Sequence, residues 1–194
     1  MKKIVLTFGL LSGAIMSGLM TTVIVFAHQT DPGRGMAIGY TIMVLSFLLV
    51  FFGIRSYREN VGDGYISFGR ALGVGFLIML ISCVCYVATW EVVYHKFMPD
   101  FGDKYLAKSI ERVRASGKSP QEIEAEVQNM TSMMQLYNSN ILFNIAFTLL
   151  EPLPPGLVMT LLSAVILRKR RRQEEDLHGF QDAVKETSVN LSNY

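Results

Sequence analysis

The sequence predicts an all-α integral membrane protein, a four-helix bundle with an extracytoplasmic helical hairpin between its third and fourth helices. The first observation is compositional. Of 194 residues, 51% are hydrophobic and 18% charged, where soluble domains carry roughly 25% charge. The second is placement. Stretches 4–27, 35–54 and 71–90 contain no Asp, Glu, Lys or Arg over 24, 20 and 20 residues, and each crosses a hydrocarbon core of about 30 Å at about 1.5 Å per residue. The third is a fourth apolar stretch, 141–167, interrupted only by Glu151 and neighbouring prolines and stopped by Arg168, Lys169, Arg170, Arg171 and Arg172. The expected organisation is a transmembrane domain over 1–172, with spans at 4–27, 35–54, 71–93 and 141–167, an outer loop at 94–140, and a cytoplasmic tail at 173–194.

The first span follows Lys2 and Lys3 and ends in Val25-Phe26-Ala27, a pattern shared with signal peptides. Signal cores are about 7 to 15 residues, so this longer run is expected to be a retained helix. Asp31-Pro32-Gly33 is a turn signal that makes the first two spans an antiparallel hairpin. The next link, 59–64, is polar and glycine-rich, and it leads through Tyr65-Ile66-Ser67-Phe68-Gly69-Arg70 into the third span. Gly9, Gly13 and Ser17 form a small-residue stripe, and Ser67, Gly69, Gly73 and Gly75 suggest a narrow start to the third helix. Such faces let helices approach closely.

Within the outer loop, Tyr105, Leu106, Ile110 and Val113 recur at helical spacing and Gly117 ends that helix. Ser119-Pro120-Gln121-Glu122 is a capping box with proline at the first helical position. Ile123, Val127, Met130, Met134, Tyr137 and Ile141 then form one apolar face on a helix expected to run straight into the fourth span. That face can lie on the outer leaflet, pack on the first loop helix, or receive a partner. The sequence leaves all three open.

Placing Lys2 and Lys3 in the cytoplasm puts eleven of the eighteen Lys and Arg residues on that side, whereas the outer loop balances six basic with six acidic residues. This bias predicts cytoplasmic termini. The basic cluster abuts a span in a chain of net charge +2, so it reads as a lipid-headgroup anchor, with no nucleic-acid partner expected. Trp90, Tyr94 and Phe97 fall where the third span leaves the membrane, as expected of interfacial rings. Cys83 and Cys85, two apart on a helix, point about 200° apart and cannot bridge each other.

Gly64-Tyr65-Ile66-Ser67-Phe68-Gly69-Arg70-Ala71 and Glu151-Pro152-Leu153-Pro154-Pro155-Gly156-Leu157 carry a family likeness. Over approximately 3–172 the chain resembles a family of small bacterial inner-membrane proteins catalogued as a domain of unknown function. The resemblance implies four spans and an inner-membrane location, and it supplies no activity, ligand or catalytic residue.

Depth arithmetic isolates the residues with chemical potential. Glu151 lies sixteen residues above Leu167, about 24 Å and inside the core, and Glu91 lies about 31 Å above Arg70, at the interface. His95 follows Glu91 by one turn, and His28 ends the first span. Glu151, Glu91 and His95 are the candidate ion or proton site, because an ionisable group within a span is costly unless paired or functional. The structural alternative is a polar contact in which Glu151 pairs with Arg34 or caps backbone groups freed by prolines. Pro152, Pro154 and Pro155 remove backbone donors and are the candidate hinge. Met130, Met133 and Met134 fit apolar packing better than soft-metal binding. No nucleotide, nucleophile or zinc motif occurs, so no catalytic residue, metal or cofactor is expected. The expected function is a non-enzymatic scaffold contacting membrane lipid and another membrane protein or a second copy, with Ile123, Val127, Met130 and Met134 as partner face. The alternative is a small oligomeric transporter or proton- or cation-coupled permease using Glu151 beside the proline hinge.

Overall fold

The computed structural model describes residues 1–26, 32–169 and 181. The chain runs through α1 (Lys2–Phe26), α2 (Pro32–Asn60) and α3 (Phe68–Val92), then a π-helical turn at Val93–Phe97. α4 (Phe101–Arg114) and α5 (Pro120–Ser139) form the hairpin, and α6 (Ile141–Leu150) and α7 (Leu153–Leu167) follow. Four candidate membrane spans result: Lys2–Ile24, Ala37–Asn60, Phe68–Phe97 and Ile141–Leu167. α1 and α7 each pack on both α2 and α3, while α2 and α3 touch across the middle. Phe47, Ile54, Ile78, Met79 and Met16 are enclosed at the centre. Leu10, Leu45, Val84 and Ile166 point outward. Apolar side chains on both the inside and the outside of the spans suit a solvent that is itself hydrocarbon.

Small residues set the helix spacing. A Cβ on Gly9 would lie 2.8 Å from Ile81 Cβ, and one on Gly13 would lie 2.6 Å from Cys85 Cβ, so the stripe on α1 is used against α3. The Ser82 hydroxyl donates to the Gly9 carbonyl at 3.1 Å, and Ser12 donates to the Ser46 carbonyl on α2 at 2.9 Å. The expected narrow start of α3 is corrected. Gly69 and Gly73 face open space, whereas Gly75 meets Ile54, Thr160 and Val50.

α2 continues to Asn60, past the expected end of its span, and the link to α3 is correspondingly tight. Asp63 (φ 50°) and Gly64 (φ 85°) turn the chain in the left-handed region, and a Cβ on Gly62 would collide with the Tyr65 carbonyl oxygen. The turn delivers Ile66 to the end of α7. Ile66 and Lys169 exchange two backbone hydrogen bonds of 3.0 Å, Arg58 Nη1 donates to the Leu167 carbonyl at 3.4 Å, and Lys169 Nζ sits 5.4 Å from the Tyr65 ring centre. The Gly-Tyr-Ile segment is therefore a clamp that fastens the α2–α3 link to the fourth span.

At the other end the hairpin begins as expected. Gly117 adopts φ 74° after α4, and Ser119 and Glu122 cap α5 reciprocally. The continuous run from α5 into the fourth span is a correction. Asn140 leaves the helical region at φ −126°, ψ 103°, and its side chain accepts from the Leu142 and Phe143 N–H groups, starting a separate helix. His28, the turn at Asp31, the Arg34 side chain, Arg170, Arg171, Arg172 and the tail expected at 173–194 lie outside the described residues, Gln181 excepted.

Candidate functional site

Helical spacing places Tyr86, Trp90 and Tyr94 successively along the hairpin end of α3, and α5 and α6 close over them. The Trp90 indole donates to the Tyr137 hydroxyl at 2.7 Å. Since an indole only donates, Tyr137 keeps its own proton for Thr148 Oγ1 at 3.0 Å, and Thr148 donates onward to Asn144 Oδ1 at 3.4 Å. Asn144 Nδ2 returns to the Tyr137 carbonyl at 3.4 Å, closing the circuit across the Asn140 break. Burial pushes the Tyr137 hydroxyl above its ordinary value, so it acts as a neutral link. Tyr137 also meets the Tyr94 ring at 5.5 Å and the Phe147 ring at 5.9 Å.

Glu151 sits at the foot of α6, where the backbone ladder fails. Its N–H reaches only the Thr148 carbonyl at 3.3 Å, Pro152 is buried, and Pro154 and Pro155 deprive the Leu150 and Glu151 carbonyls of helical donors. The Tyr86 hydroxyl donates to Glu151 Oε2 at 2.8 Å. The glutamate remains exposed on the flank of the fourth span, sharing a helical face with exposed Phe147, Leu150 and Pro154. The candidate hinge residues are thus unequal, with Pro152 packed inside, Pro155 half-buried and Pro154 outward.

Of the three candidate ion-site residues, Glu91 and His95 pair with each other and Glu151 is met by Tyr86, while both carboxylates lie within electrostatic reach of Tyr137. Glu91 pairs with His95, at 3.4 Å from Oε2 to Nδ1, where the π-helical turn begins. The imidazole also approaches the Glu91 carbonyl at 3.0 Å, while neither carboxylate oxygen of Glu91 has a hydrogen-bond partner among the described residues. Glu91 lies five residues beyond Tyr86, about 7.5 Å further along α3. Two acidic centres result, Glu151 with Tyr86 and Glu91 with His95. Sequence reasoning missed Tyr86, whose relation to Glu151 appears only when α3 and α6 pack, and equal counts of sixteen residues from Arg70 and from Leu167 are the one signal that would have found it.

Ile123, Val127, Met130 and Met134 are half-buried, and the half-buried Leu106, Ile110 and Val113 lie on the packed face of α4. Of the three sequence options, packing of the loop helices on each other is present, since α4 and α5 are in contact. A Cβ on Gly102 would meet Met134 Sδ at 3.2 Å, and Tyr94 donates to Asn138 Oδ1 at 2.5 Å in the same seam. Tyr94 is accordingly buried, and of the three expected interfacial rings Phe97 is the exposed one. Among the anchor residues that are described, Arg168 and Lys169 are both exposed.

No curated protein and no solved structure matches the chain at the similarity required. A family model does match, over residues 7–169, from α1 to the lysine gripped by the Ile66 clamp. It includes every described element of the bundle and hairpin, and the chain accordingly belongs to the family described as "Protein of unknown function (DUF4199)".

Proposed function

We propose that this multi-pass membrane protein resides in the bacterial inner membrane with both termini cytoplasmic and acts without catalysis, as a small carrier that takes up a proton or a cation at Glu151. The observation that carries the reading is the Tyr86–Glu151 hydrogen bond of 2.8 Å, at a proline break inside an apolar span. An acidic side chain at that depth is costly, and its retention beside carbonyls stripped of donors supports a binding role. The orientation rests on the bias of basic residues toward the end that carries Lys2, Arg58 and Arg168.

The test is proton flux in vesicles containing the purified protein and a trapped pH indicator. A pH gradient should dissipate faster with the wild type than with Glu151→Gln, and equal rates would remove the proposal. A second reading, a scaffold held by lipid, is favoured by Arg168 and Lys169, which are exposed where the clamp ends. Its partners are anionic lipid and another membrane protein or a second copy, not nucleic acid. Ile123, Val127, Met130 and Met134 are only half-exposed on the hairpin, and we therefore rank this reading second. Crosslinked purification of the wild type and of a Glu151→Gln variant tests it, since a scaffold keeps the same stoichiometric partner in both.

A further inference from the structure

We infer that Glu151 anchors a laterally open site for an amphipathic organic cation, which reaches the carboxylate from the hydrocarbon phase. The inference deepens the carrier reading and rests on it. Glu151 belongs to the outward stripe of the fourth span. Phe147, Leu150, Pro154 and Val158, at positions −4, −1, +3 and +7 from it, are all exposed. Its head is drawn against Tyr86, yet its flank faces the side of the bundle that meets acyl chains. Phe147 is 47% exposed and stacked on Phe143 at 5.9 Å, which sets an aromatic surface one turn from the carboxylate.

Three occupants compete for this stripe, and charge decides among them. A second copy would bring another glutamate, and the four apolar stretches 4–27, 35–54, 71–90 and 141–167 contain no Lys or Arg to meet it. A hydrated inorganic ion does not partition into hydrocarbon, so it does not reach the flank of Glu151 that opens onto the acyl chains. A cation bearing apolar groups satisfies both halves of the surface, its charge on the carboxylate and its body on Phe147 and Leu150. Binding then exchanges a proton for the ligand: the neutral acid loses its proton to water, and the carboxylate pairs with the bound cation. The titratable groups facing Glu151 are Tyr86 from α3, which donates to it, and Tyr137 from α5; beyond them, Tyr40 from α2 lies near Tyr86 and Glu91 from α3 near Tyr137.

The experiment measures binding of radiolabelled tetraphenylphosphonium to the full chain in lipid nanodiscs, against empty discs, together with proton release into weak buffer. The expected result is saturable binding that strengthens as pH rises, releases one proton per ligand, and falls at least about tenfold in Glu151→Gln, a loss of about 1.4 kcal/mol. Phe147→Ala keeps the carboxylate and should bind the probe several-fold more weakly while still responding to pH, which guards against a Gln variant that fails to fold. Equal retention by wild type, both variants and empty discs means partition into lipid and overturns the inference. Glu151-dependent proton flux without probe binding overturns the ligand class and leaves the carrier reading standing. Absence of both overturns the two together.

Discussion

Glu151 and Glu122 are each governed by the donor that meets them, in two different settings. Tyr86 donates a hydrogen bond to Glu151, and replacing it by Phe leaves the carboxyl without that bond. Tyr86→Phe should lower stability by about 0.5–1.5 kcal/mol, read as a reduced melting temperature in detergent, while Tyr40→Phe, on a side chain 42% exposed, should leave it unchanged. Glu122 shows the opposite setting, in water. The Ser119 hydroxyl and backbone N–H donate to its carboxylate at 2.7 and 3.0 Å and hold it below the ordinary value of 4.5. A carboxyl whose folded-state value is depressed contributes stability above the unfolded value, and that stability is lost as pH falls through the folded one. The start of α5 should therefore fray only below about pH 4.5, seen as faster amide exchange at Ile123 and its neighbours, and Ser119→Ala should show the same fraying already at neutral pH.

The spans, the capping box and the small-residue stripe on α1 were legible in the sequence because each rests on local spacing. Gly9, Gly13 and Ser17 recur every four residues, and the partner helix uses the first two as that spacing predicts. Gly69 and Gly73 carried the same pattern and face nothing, because which face of α3 meets a neighbour is settled by tertiary packing. This contrast is measurable. Gly13→Ala places a methyl carbon 2.6 Å from Cys85 and should destabilise by about 1–3 kcal/mol. Gly73→Ala fills open space on a helix and should stabilise by about 0.5–1 kcal/mol. Thermal unfolding of the two variants in one detergent tests the sign of each. The break at Asn140 was illegible for a related reason, since the apolar face of α5 continues in sequence to Ile141 while the Asn140 cap redirects the chain. Tyr86 escaped notice because an isolated tyrosine in an apolar run has no local signature until α6 settles beside it.

At the scale of the molecule, the two ends of the bundle are fastened differently. One end is tied by backbone, with Ile66 and Lys169 exchanging hydrogen bonds and Arg58 holding the Leu167 carbonyl. The other is tied by side chains, with Trp90, Tyr137, Thr148 and Asn144 bridging α3, α5 and α6. A short α6 between the Asn140 and Pro152 breaks is held by a few polar contacts on the hairpin side, so local opening of the fourth span is expected there rather than at the clamp. The proposed orientation, which follows the basic-residue bias, puts the hairpin away from the cytoplasm and the clamp beside it. Single cysteines report the orientation directly, because Cys83 is buried and Cys85 lies within a span. A membrane-impermeant maleimide added to intact spheroplasts should label Lys108→Cys, on the exposed side of α4, and should label Lys3→Cys only after the membrane is opened. Labelling of Lys3→Cys in closed spheroplasts with protection of Lys108→Cys would invert the bundle, putting the hairpin and the Glu151 break on the cytoplasmic side and reversing the direction of the proposed proton exchange.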